Sequence, residues 1–279
     1  MVMPIRGSGG ILVICQADEF KGIAQARTLF PDTKFLIFGD ESRVKPLLEN
    51  YTELRAASEL IHTEDIVSSD MKPSQALRRG RQSSMGLAIQ AVKDGAADVT
   101  ISAGNTGALM ALSKFMLRTM PGIDRPALIS PLPTLRGESV MLDLGANVEC
   151  DSNNLVQFAI MGAAYVRTVL GLSRPTVALL NVGTEDLKGK DSIKAAADVL
   201  RESKHLPLDF VGFVEGNDIA TGEVDVVVTD GFTGNVALKT AEGTARLVTT
   251  LLGRAFKSSL FTKLGYLLSR HGLRSLKDH

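Results

Sequence analysis

Short, nearly unbroken apolar runs recur along this chain, and most give way to a turn and then to apolar residues at helical spacing. Ile11–Ile14, Lys34–Phe38, Val99–Ala103, Val140–Leu144, Val177–Val182, Phe210–Val214 and Val224–Thr229 read as strands covered on both faces, because few of them alternate with polar residues. Helical spacing falls at Ser74–Lys93, Thr106–Arg118, Asn153–Leu170, Ser192–Glu202 and Val236–Leu252. The repeated order of strand, turn, helix, strand predicts an α/β fold: a doubly wound, mostly parallel sheet with helices on both faces, formed by residues 1–279 as a single domain. Met120–Gly137 is rich in proline and turn residues and reads as a connection between lobes.

The turns carry the second pattern. Five strands run into loops rich in Gly, Asn, Thr and carboxylate: Gly104–Gly107, Asp143–Asn147, Asn181–Lys188, Glu215–Asp218 and Asp230–Asn235. A lone Gly-Asn-Thr-Gly turn is an ordinary helix entry. Five such turns at strand ends predict a shared polar site, since ligands of parallel α/β sheets bind there. The loops offer the amides of Asn105, Asn147, Asn217 and Asn235, the hydroxyls of Thr106, Thr184 and Thr233, backbone N–H groups, and the cation Lys188. That set suits phosphate or another oxyanion at helix N-termini. Asp143, Glu185, Asp186, Glu215, Asp218 and Asp230 could hold Mg²⁺, but acids in such places more often cap helices or orient donors. No P-loop and no dinucleotide fingerprint is present.

Composition narrows the field. Lys plus Arg and Asp plus Glu are equal at 31 each, which predicts no nucleic-acid partner. Two cysteines, Cys15 and Cys150, and four scattered histidines give neither a disulfide framework nor zinc-ligand spacing. With no signal peptide or membrane span legible, the expected place is the cytoplasm. The tail differs: between Thr244 and Lys277 stand seven Lys or Arg and no acid, with apolar residues at helical spacing. A basic amphipathic helix, or pair of helices, there can lie on an anionic membrane or receive an acidic protein.

Longer stretches resemble a known family. "KPSQALRRGRQSSM", "SAGNTGALMALS", "LDLGANVECDSNNLVQFAIMGA", "LLNVGTEDLKGKD", "FVEGND" and "VVVTDGFTGNVALKTAEGTAR" occur in the order found in the bacterial phosphate acyltransferases of phospholipid synthesis, PlsX. The resemblance implies a scaffold like that of isocitrate and isopropylmalate dehydrogenases. It implies conversion of acyl–acyl-carrier-protein plus inorganic phosphate to acyl phosphate and free carrier protein, without cofactor or metal. It further implies a homodimer associated peripherally with the membrane surface through the tail.

On that resemblance Lys188, Asn105 and Asn235 are the catalytic candidates. Gly104, Thr106, Gly107, Asp143, Asn147, Gly183, Thr184, Glu185, Asn217 and Asp230 would bind substrate. The ends depart from the family: the start "MVMPIRGSGGILVICQADEF" lacks its Asp-Ala-Met-Gly-Gly-Asp loop, and the chain stops at His279 before its Lys-Ser-His-Gly motif. Rival readings are a phosphotransacetylase-like enzyme, an isopropylmalate-type dehydrogenase, and a non-catalytic paralogue that binds membrane or carrier protein.

Overall fold

The computed structural model describes residues 11–14 and 20–278. Cys15, His279 and the glycine-rich run at 7–10 lie outside the described residues. Backbone contacts divide the chain into two compact units, Met1–Pro126 and Ala127–His279. The one expected sheet is replaced by two among the described residues, each with its own core.

In the first unit β1 (Ile11–Ile14), β2 (Lys34–Gly39), β3 (Ser58–His62) and β4 (Val99–Ile101) form a parallel sheet in the order β3-β2-β1-β4. Around it run α1 (Phe20–Leu29), α2 (Glu41–Leu48), α3 (Thr52–Ala56), α4 (Pro73–Arg79), α5 (Ser84–Lys93) and α6 (Thr106–Leu117). Phe20, Ile23, Phe35, Ile37, Val44 and Leu54 pack one cluster, and Ala76, Met85, Ile89, Ala108 and Leu112 another. The helix expected over Ser74–Lys93 is broken by a 3₁₀ turn at Gly80–Gln82. Ser83 ends the turn by donating to the Gly80 carbonyl at 2.5 Å and caps α5 by accepting from the Gly86 N–H at 3.2 Å. A Cβ on Gly86 would lie 2.2 Å from the Gly80 carbonyl oxygen, so the break depends on that glycine.

The second unit has strands β5 (Ile129–Thr134), β6 (Gly137–Leu142), β7 (Thr176–Leu180), β8 (Asp209–Val214) and β9 (Val226–Val228), in the order β5-β6-β9-β7-β8. All neighbours pair in parallel except β5 with β6. A third of the expected Met120–Gly137 connection is thus the edge strand β5, where Pro131 and Pro133 are tolerated because one side needs no ladder. The helices are α7 (Ser152–Val169), α8 (Asp191–Glu202), α9 (Gly231–Lys257) and α10 (Leu260–Asp278).

Period-two alternation sends successive strand residues to opposite faces. Val140, Leu142, Val177, Leu179, Val226 and Val228 meet Leu155, Phe158 and Ala159 of α7 and Ala196, Ala197 and Leu200 of α8. Met141, Ala178, Leu180 and Val227 meet Ala237 and Leu238 of α9 on the other face. Both faces being covered explains the unbroken apolar runs. The order also places β9, last in sequence, between β6 and β7, so the loops leaving all three emerge side by side.

Gly162 lets α7 close on this sheet: a Cβ there would lie 2.5 Å from Val226 Cγ1 and 2.9 Å from Leu142 Cδ2. Gly162→Leu should therefore cost about 1–3 kcal/mol by overpacking, read as a lowered urea midpoint. Gly243→Ala on α9, where nothing lies within 4 Å, should instead gain up to about 1 kcal/mol from helix propensity. A Gly162→Leu chain as stable as wild type would contradict the close packing.

Candidate functional site

Asp143 follows β6 and is fully buried. Its Oδ1 accepts from the backbone N–H groups of Leu128 (3.0 Å), Gly145 (3.2 Å) and Ala146 (3.0 Å). Its Oδ2 accepts from the backbone N–H and side-chain amide of Asn147, at 2.7 and 2.8 Å. The first turn of α9 presses onto the loop so held. Gly231 N–H donates to the Asn147 carbonyl at 2.8 Å, and a Cβ on Gly234 would lie 1.9 Å from the Asp143 carbonyl oxygen. Asn235, exposed, sits over Gly145.

Asp230 is the N-cap of α9. Its Oδ1 accepts from the Thr233 N–H at 2.8 Å, and its Oδ2 from Lys190 Nζ at 3.0 Å. Burial pushes its carboxyl up, but the bonds from Thr233 and Lys190 outweigh this and hold it below the ordinary aspartate value. The entry to α9 is therefore largely satisfied from within: Gly231, Thr233 and Gly234 all spend their N–H groups on Asn147 or Asp230.

The loop from β7 to α8 is different. Asn181, buried, donates its amide to the carbonyls of Gly183 (3.1 Å) and Lys188 (3.0 Å), closing the loop on itself. The Asn181 Oδ1 is buried without a partner. Gly189, at φ +91°, has no room for a Cβ, which would lie 1.9 Å from that oxygen. Lys188 pairs with Glu185 at 2.9 Å, both exposed, and the carboxylate raises the lysine pKa, keeping its charge. Lys190 precedes α8, whose amino end has no side-chain cap. The Ile193 and Lys194 N–H groups bond the Lys190 carbonyl, and Asp191 stands in the first turn of α8, so the loop offers two cations and a helix entry without a side-chain cap beside the carboxylates of Glu185, Asp186 and Asp191. Sequence reasoning takes Lys188 as the one conspicuous cation and misses Lys190, although the Leu187-Lys188-Gly189-Lys190-Asp191 run carries the signal.

Lys190, Asp230, Asn181, Thr229 and Thr233 border a cavity of about 840 Å³. Its other walls are mostly apolar: Leu132, Met141, Leu180, Ile193 and Ile219, with Val236, Ala237 and Ala241 of α9. Asn217 is exposed on the loop after β8, donating to Asp218 at 3.0 Å, and Thr184 is exposed as well.

The Gly104–Gly107 turn belongs to the first unit. Asn105 Oδ1 caps α6 by accepting from Ala108 N–H at 3.0 Å, while its Nδ2 donates to the carbonyls of Ser68, Ser69 and Met71, the last at 2.7 Å. A Cβ on Gly107 would lie 3.1 Å from Pro73 Cγ. The described contacts of Asn105 staple two segments of its own unit. Among the described residues no group of three or more His, Cys, Asp or Glu is placed to hold a metal ion.

A family model described as "Fatty acid synthesis protein" matches residues 17–279. The chain is 59% identical over 257 residues to the phosphate acyltransferase of Paramagnetospirillum magneticum, covering 92% of this chain and 73% of that protein. It is 62% identical over 252 residues to the phosphate acyltransferase of Rhodospirillum centenum, covering 90% of this chain and 71% of that protein. Among solved structures, the EutD phosphotransacetylase from Staphylococcus aureus aligns with TM-score 0.63 at 19% identity, over 85% of this chain and 82% of its own, a likeness of fold.

Two outcomes follow from the geometry. Asp143→Ala removes the shared acceptor of five hydrogen bonds, and at about 0.5–1.5 kcal/mol for an ordinary bond and more for one to a charged group, chemical denaturation should show a loss of at least about 3 kcal/mol. Asp230→Asn keeps an N-cap oxygen but removes the charge facing Lys190. Because the folded carboxyl titrates below its unfolded value, its stabilisation is complete above the ordinary aspartate range and fades as pH falls through the folded value. The stability gap between wild type and Asp230→Asn should be flat near neutrality and shrink below about pH 4. A gap that widens in acid would reverse this assignment.

Proposed function

This chain belongs to the fatty acid synthesis protein family, and we propose that it acts as a phosphate acyltransferase, transferring an acyl group from acyl carrier protein to inorganic phosphate. The observation that carries the reading is 59–62% identity to phosphate acyltransferases over at least nine-tenths of the chain. The relation of its scaffold to the isocitrate and isopropylmalate dehydrogenases belongs to the same proposal.

Phosphate is already a nucleophile, so the reaction needs positioning and charge rather than a covalent intermediate. A phosphate oxygen bonds to the thioester carbonyl carbon while the carbonyl electron pair moves onto oxygen. Collapse of the tetrahedral oxyanion breaks the carbon–sulfur bond, and the phosphate's proton ends on the departing thiolate. We assign phosphate to the β7–α8 loop, where Lys188, Lys190 and the uncapped amino end of α8 supply positive charge. Holding both reactants in line can contribute roughly 7–11 kcal/mol. Asp143 acts through others, fixing the loop to Asn147 against which α9 and Asn235 are set. Gly183 lets the Lys188 side chain lie across the loop, since a Cβ there would be 2.5 Å from Lys188 Cδ.

Gly104, Asn105, Thr106 and Gly107 enter this proposal through the resemblance alone, as do Thr184 and Asn217. Membrane association and a homodimer also belong here. What supports them is the pair α9 and α10, joined through Ser258–Ser259 and packed by Phe256 against Tyr266 with ring centroids 5.3 Å apart. The pair exposes Leu247, Leu251, Leu260, Phe261 and Leu268 beside Arg246, Arg254, Lys257 and Lys263. Among the described residues no helix is long and apolar enough to cross a membrane, so this surface would bind without spanning.

The test is phosphate-dependent release of carrier-protein thiol from a long-chain acyl carrier protein, with the acyl phosphate trapped by hydroxylamine. Lys188→Ala should lower kcat by about 10²–10³, the usual cost of one lost donor to a developing oxyanion. Its thermal stability should stay near wild type, because the Lys188–Glu185 pair is exposed. Turnover near the wild-type rate would remove Lys188 from the mechanism.

A further inference from the structure

We propose that the 840 Å³ cavity under α9 is the seat of the substrate's hydrocarbon chain, and that the small residues of its wall set the chain length accepted. The inference rests on the acyl-transfer reading above and adds to it where the chain lies. The cavity is polar at one end. Asn181, Lys190, Thr229, Asp230 and Thr233 come from the carboxyl ends of β7 and β9 and from the entries to α8 and α9. Its remaining length follows α9, with Val236, Ala237 and Ala241 on the helix and Ile219 and Ala220 on the segment after β8. From Asp230 to Ala241 the helix rises about 16 Å at ~1.5 Å per residue.

A ligand matched to this shape has one charged or reactive end and a long apolar body. The polar end coincides with the phosphate seat: Lys190 lines the cavity and stands on the loop assigned to phosphate. An acyl thioester attacked there has its carbonyl at the polar end and its chain along α9. Ligand sites are typically clefts of about 300–1,000 Å³, mainly apolar with a few convergent polar groups, and this cavity has that character. Ala220 and Ala241 are both exposed and small, so a larger side chain at either would take space from the chain without forcing the core to repack.

Ala241→Phe and Ala220→Phe test the assignment from two parts of the wall. With palmitoyl and octanoyl carrier protein as competing substrates, the palmitoyl-to-octanoyl ratio of kcat/KM should fall by about tenfold or more in each variant. Each methylene denied an apolar site is roughly a fourfold loss. cis-Parinaric acid, a fluorescent long-chain fatty acid, gives a readout free of turnover: it should bind wild type and weaken by about tenfold or more in both variants. Sensitivity of the probe to both substitutions in a chain that turns over no acyl substrate would keep the cavity assignment and sink the acyltransferase reading. An unchanged ratio with unchanged probe binding would overturn the assignment. So would a change in oligomeric state at unchanged ratio, which would make the cavity an interface between copies.

Discussion

Five hydrogen bonds converge on the Asp143 carboxylate, and the polar end of the second unit is arranged around them. A buried carboxylate is tolerable only when its lone pairs are occupied, and here the donors come from the residues before β5 and from the turn after β6. That turn becomes a fixed surface. Gly231 and Gly234 bring the α9 backbone onto it, and Asp230 at the same helix entry takes Lys190. Through Lys190 the constraint passes to the start of α8 and to the loop that Asn181 closes. Loops leaving three neighbouring strands are thus joined by polar contacts, a backbone hydrogen bond from Gly231 to Asn147 and the ion pair of Lys190 with Asp230.

The same chemistry explains which parts of the fold were legible in the sequence. Strands covered on both faces, such as Val177–Leu180, announce themselves because every residue is apolar. The edge strand β5 did not, because Pro131 and Pro133 look like loop residues and only an edge position makes them acceptable. The start of α9 was read as loop for a related reason. Two glycines in its first turn oppose helix formation by about 1 kcal/mol each, yet both are needed for contact with the Asp143 loop. The helix expected over Ser74–Lys93 failed the other way: its spacing is helical throughout, and the close approach of Gly86 to Gly80 cannot be seen in periodicity.

The site was legible as a set of loops, less so as individual residues. Glycine and amide density points to five loops as one site, and strand order makes those after β6, β9 and β7 neighbours. The density could not say which polar groups are already spent. Asn105 is committed to a cap and three carbonyls, and most N–H groups at the entry to α9 are taken. The amino end of α8 has no side-chain cap, and that is visible only in structure.

That difference divides the work of the two lysines under the proposed reaction. Lys188 faces Glu185 across an exposed pair, where water and salt weaken the attraction, so an arriving phosphate can take its ammonium at little cost. Lys190 faces Asp230, whose side chain is only 11% exposed and is tied to the first turn of α9. Its partner is held in place, so the pair sets Lys190 at the cavity's polar end. In the proposed mechanism the first cation would follow charge as it moves from phosphate to the tetrahedral oxygen, and the second would mark the place of reaction. Under the proposed reaction only interactions stronger in the transition state than with bound phosphate raise the rate, and the loosely paired Lys188 is the better placed of the two to supply one.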